Sequence, residues 1–186
     1  MADVASPKKY ELVESDSVTA WNGAKLFRIR ALVAIAAIGV SIGDLGGYVE
    51  SEKNLSQVFG DAWVYGAAQV FGDAWVSGAA QVFGDARVSG AARVSGDARV
   101  FGDARVSGVN IVATRSDGYT FLVAPTPSGP RIIAGCRYFT FDEADAHWAK
   151  TRGGTPLGDE SLAIVCHFRR MAEIKGFMQP VAEIAA

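Results

Sequence analysis

Only two cysteines and two histidines occur in 186 residues. Cys136 and Cys166 are too few for the disulfide framework of a small secreted domain. Long hydrophobic runs are missing as well. The most apolar stretch, Ala31 to Ile42, contains Gly39 and follows Arg28 and Arg30, whereas a spanning helix needs roughly 20 apolar residues. It is read as buried strands. Met1 to Ser15 is polar and lacks the apolar centre of a signal peptide. Charge of one sign is also lacking: the net charge is −2, so nothing draws the whole chain to nucleic acid or an anionic membrane. These absences lead us to expect a soluble, cytoplasmic protein. At 49% hydrophobic and 20% charged residues, the chain has the means to bury a core and is not disordered throughout.

What the sequence does have is an internal repeat. Val recurs at 58, 64, 70, 76, 82, 88, 94, 100 and 106, always six residues apart. Gly follows two residues later each time, from Gly60 to Gly108. Ala stands two residues before each valine from Val64 onward, and Ser56 takes that place before Val58. Six residues turn an α-helix by about 600°, which would scatter the valines around it. A short strand keeps Ala and Val on one side, and Gly supplies the corner that follows. Three strand-and-corner units would close a triangular coil of about 18 residues, and Val58 to Gly108 would make about three coils.

The unit resembles that of the hexapeptide-repeat proteins, in which an aliphatic residue is followed four positions later by a small one, as Val58 by Ala62 and Val82 by Ala86. The resemblance implies a left-handed parallel β-helix, often assembled as trimers. In this chain Gly falls one place later than the family's usual position. The pattern Gly-Asp-Ala-Arg-Val-x-Gly is similar to that of uncharacterised phage and prophage proteins. In these a segment like Gly43 to Leu55 precedes the coils, and one like Arg131 to Arg137 follows them.

Three regions are therefore expected: an N-terminal β cap and lead-in over 1–55, β-helix coils over 56–108, and an α+β C-terminal cap over 109–186. In the first, Tyr10 to Leu12, Lys25 to Ala31 and Leu32 to Ile42 read as strands. In the last, Val109 to Thr114, Tyr119 to Ala124 and Arg131 to Tyr138 read as strands, and Asp142 to Lys150 and Gly158 to Lys175 as helices. Asp142 is the expected cap of the first helix, with Asp145 three residues on. Gly176 to Ala186 reads as a loose tail or one borrowed by a partner.

Positions 18 apart should stack. One face then carries Trp63 and Tyr65, Gln81 and Phe83, Arg99 and Phe101. Its four aromatic rings would make a patch of ~300–500 Å², which is the expected interface, with Arg99 among it. The alternative is that the chain's own caps cover the rings. Arg87, Arg93, Arg99 and Arg105 spiral over all three faces, and the corner aspartates can pair with them. Nucleic acid is therefore not an expected partner, since it needs concentrated positive charge.

No cofactor or metal is expected: Cys136, Cys166, His147 and His167 show no paired ligand spacing. Acyl transfer with acyl-CoA is the main activity among hexapeptide-repeat proteins and resembles general-base catalysis by a His. Here the coils hold no His, and His147 and His167 match no family motif. The expected role is a non-enzymatic binding or scaffold protein of phage or prophage type, with a hexapeptide-repeat acyltransferase using acyl-CoA as the alternative. It would be a homo-oligomer, trimer ahead of dimer, that docks a macromolecular partner, with inhibition of a host factor or defence system as the specific version.

Overall fold

A computed structural model describes residues 7–58, 60–107 and 111–178. Phe59, Gly108, the expected strand start at Val109 and Asn110, and residues 179–186 of the tail lie outside the described residues.

The valine period becomes a β-solenoid of three parallel sheets. The first face holds β4 (Trp63–Val64), β7 (Gln81–Val82) and β10 (Arg99–Val100). Trp63 pairs in register with Gln81, and Gln81 with Arg99, so each coil takes eighteen residues. The second face holds β5 (Gln69–Val70), β8 (Arg87–Ser89) and β11 (Arg105–Ser107). The third holds β6 (Trp75–Val76) and β9 (Arg93–Val94). Ala and Val of each strand point inward, and Val64, Val70, Val76, Val82, Val88 and Val100 have no exposed surface. The glycines turn the corners with positive φ, and their lack of a side chain lets coils stack. A Cβ on Gly78 (φ 68°) would lie 2.8 Å from the backbone nitrogen of Gly96.

Val58 departs from the pattern. It is 64% exposed, and Leu55 takes its place by bridging to Val76 in parallel. A short 3-10 turn over Glu52–Asn54 sets this start. Buried Asn54 donates through Nδ2 to the carbonyls of Gly72 and Ala74, each at 2.9 Å, which locks the turn onto the next coil. The lead-in also belongs to the lattice, because β3 (Leu45–Val49) pairs in parallel with β5.

The N-terminal cap is β1 (Tyr10–Thr19) and β2 (Lys25–Ala31), joined antiparallel to each other and then to β3. The run from Leu32 to Ile42 is not a strand. It contains a 3-10 turn over Ala36–Ile38 and one isolated bridge from Ile35 to Val40. Ile35 and Val40 plug the core, whereas Leu32 and Ile42 are exposed, so the run is only partly buried.

The C-terminal cap is an antiparallel sheet of β12 (Ile111–Thr114), β13 (Thr120–Ala124), β14 (Arg131–Ala134) and β15 (Arg137–Phe139). The strand expected from Arg131 to Tyr138 is thus a hairpin, folded at Gly135 with φ 61°. One side of the sheet, with Leu122, Ala124 and Ile133, closes the solenoid core. The other side packs Phe121, Val123 and Ile132 against α1 (Phe141–Arg152) and α2 (Pro156–Ile174). The cap of α1 is Thr140 in a reciprocal pair with Glu143, in place of Asp142 and Asp145. No helix of the described residues is long and apolar enough to cross a membrane.

Candidate binding groove

The first face lies between the two caps, and its side chains sit on a lattice set by backbone bonds. Gln81 N donates to Ala98 O at 2.9 Å, and Phe83 N to Val100 O at 2.9 Å. Phe83 stacks on Phe101 with centroids 5.0 Å apart, Tyr65 meets Phe83 edge-on at 6.5 Å, and Tyr138 of β15 continues the ladder at 5.3 Å from Phe101. The Tyr138 hydroxyl donates to Asp103. Burial, then this bond, pushes its phenol above the ordinary range.

The expected interface residues divide into three environments. Trp63 points out of the coil, but the N-terminal cap covers it: it is 1% exposed, with Tyr10 edge-on at 6.2 Å. The expectation that it is open to a partner is therefore corrected. Tyr65, Phe83 and Phe101 are half-buried, because each ring shields the next. Arg99 is exposed and, among the described residues, no ion pair holds it. The expected pairing of coil arginines with corner aspartates is absent for Arg87, Arg99 and Arg105 among the described residues.

Beside the ladder runs an open groove of about 530 Å³. Gln81 and Arg99 form its floor, and Asp61, Ala79 and Asp97 its corner edge. Ala37 and Ile38 of the N-terminal cap stand at one end, and Tyr119, Thr120, Cys136 and Arg137 of the C-terminal cap at the other. Arg137 is held in place by two neutral partners. Its Nε donates to His147 Nε2 at 2.9 Å, and its Nη1 to the Tyr119 hydroxyl at 3.3 Å. The guanidinium also lies 5.6 Å from the Trp148 ring. Arg137, Ile38 and Tyr138 were not singled out by sequence reasoning. The one available signal was Gly135-Cys136, which reads as a turn between two strands.

The two histidines sit in different environments. The Nε2 lone pair of His147 already accepts from Arg137, and burial, then the Arg137 charge, lowers its pKa. His167 and Cys166 are exposed on α2. Among the described residues no three of His, Cys, Asp and Glu come together as a metal site.

Residues 80–96 and 92–108 match the family model described as the YdcK beta solenoid repeat. These two stretches are the last regular coils, including Gln81, Phe83, Arg99 and Phe101. No curated protein matches the chain.

Proposed function

We propose that this β-solenoid repeat protein is a non-enzymatic binding or scaffold protein that docks a macromolecular partner in the groove of its first face. One observation carries the reading: Arg99 and Arg137, from separate elements, line one groove, and neither is neutralised by a carboxylate of this chain among the described residues. The floor spans two coils, roughly 10 Å, a width that suits an extended segment of a partner protein. Asp61 and Asp97 on the edge favour a segment that carries both signs of charge. The resemblance to phage and prophage proteins makes a host protein, including a component of a defence system, the partner of choice.

The rigid lattice supplies the mechanism. The backbone positions that carry these side chains are fixed by inter-coil hydrogen bonds, so little backbone freedom is lost on binding and less of the contact energy is spent on ordering. Charge reversal at Arg99 tests this. Arg99→Glu is exposed and leaves the core untouched, so the variant should fold normally and lose a partner that the unaltered chain captures. Retained capture would overturn the groove as the docking site.

Self-association is assigned to a different surface. Ile42 is 70% exposed and Leu32 39%, both on the segment that links β2 to β3, and Leu45, which opens β3, is 56% exposed. A homotrimer or homodimer through these residues would be dispersed by Ile42→Asp, read as a drop in mass in solution. A mass unchanged by the substitution would refute it.

A further inference from the structure

The second face carries an arrangement that neither the repeat nor the groove explains. β8 and β11 are parallel neighbours in direct register, with Arg105 opposite Arg87 and Ser107 opposite Ser89. Neighbouring strands lie about 4.8 Å apart, so the two arginines leave the sheet from directly opposed positions, and like charges directly opposed on a sheet are destabilising. Both side chains are half-buried, and neither forms an ion pair, hydrogen bond or ring contact with any described residue. The aspartates two residues upstream do not take them: Asp103 receives the Tyr138 hydroxyl, and Asp85 pairs with neither arginine. Above Arg87 in the same column stands Gln69, and its buried amide oxygen has no donor. Two cations and two hydroxyl donors therefore share one face of adjacent coils, and no carboxylate of the described residues pairs with either cation.

We propose that Arg87 and Arg105, with the hydroxyls of Ser89 and Ser107, form a binding site for a phosphate group. A guanidinium fork matches phosphate oxygens in pairs. A dianionic phosphate offers oxygens to both forks and cancels both charges, whereas a single carboxylate cancels one. The required group is supplied equally by inorganic phosphate or by a phosphate monoester. The site is independent of the groove on the first face.

The test uses the full chain at low ionic strength and pH 7.5, titrated with inorganic phosphate, with phenyl phosphate, and with chloride at matched ionic strength. Phosphate should raise the thermal midpoint above the chloride control. Arg105→Gln should weaken phosphate binding, measured by calorimetry, at least tenfold. The pair Arg87→Gln and Arg105→Gln together should abolish it, while Lys150→Gln on α1 should leave it unchanged. Tighter binding of phenyl phosphate than of inorganic phosphate would identify an ester as the source, and the reverse would identify the free ion. In phosphate-free, low-salt buffer, Arg87→Gln should melt at a higher temperature than the unaltered chain, because the opposed charges are relieved. A phosphate effect no larger than that of chloride, or one that survives in the doubly substituted chain, would overturn the proposal.

Discussion

The rings of Phe83 and Phe101, one coil apart, lie 3° from parallel with centroids 5.0 Å apart. This stack joins the solenoid to the C-terminal cap, because Tyr138 packs on Phe101 and ties its hydroxyl to Asp103. Phe101→Ala should therefore loosen two contacts at once. The ring is only half-buried, so a loss of about 2 kcal/mol is expected, below the usual range for a fully buried Phe. Urea denaturation measures it, and a loss under about 0.5 kcal/mol would show that the ladder does not brace the cap.

The corner glycines allow a paired comparison. At Gly66, with φ 59°, an added Cβ meets nothing within 4 Å, whereas at Gly78 it lies 2.8 Å from Gly96 N. Gly66→Ala pays only for its backbone conformation, about 1–2 kcal/mol. Gly78→Ala must also push the coils apart and should cost at least twice as much. Equal losses would mean that conformation alone, and not coil stacking, demands glycine at these corners.

Lys9 predicts a pH dependence. It is 6% exposed, and its Nζ donates to Ala62 O at 2.9 Å. Burial lowers its pKa to about 8, against a smaller opposing pull from Asp61. Between that value and the ordinary 10.5 the folded chain has released a proton that the unfolded chain still holds, so stability rises with pH there. The full gain is of the order of 3 kcal/mol. Tyr10 and Tyr138, with phenols raised chiefly by burial, oppose it once unfolded tyrosine ionises near pH 10. From pH 7.5 to 9.5 the unaltered chain should gain stability and Lys9→Met should not. A flat profile in the unaltered chain would contradict this.

The coils were legible because a six-residue period in Val, Ala and Gly leaves one solution for which side faces in. The register of Trp63, Gln81 and Arg99 follows from it by counting. Trp63 shows where counting stops. Nothing in the repeat says that Tyr10, more than fifty residues earlier, folds over it, since that contact depends on how β1 and β2 join β3. Val58 failed for a related reason. The period includes it, but Asn54 binds the carbonyls of Gly72 and Ala74 and thereby seats Leu55 against Val76. The apolar run from Leu32 to Ile42 misled because hydrophobicity alone does not separate a strand from a plug with exposed shoulders. In the candidate site, Arg99 could be read from its column. Arg137 could not, because a hairpin at Gly135 in the distant cap brings it to the same groove.

The central claim is that the groove of the first face receives a partner. A photo-crosslinking residue placed at Gln81, on the groove floor, tests it directly when set against the same residue at Ser95, which is exposed on the third face. In a bacterial cell lysate, the account predicts a discrete covalent adduct from position 81 that is lost when Arg99→Glu is added, and none from position 95. The same adduct at both positions, or none from position 81, would contradict it.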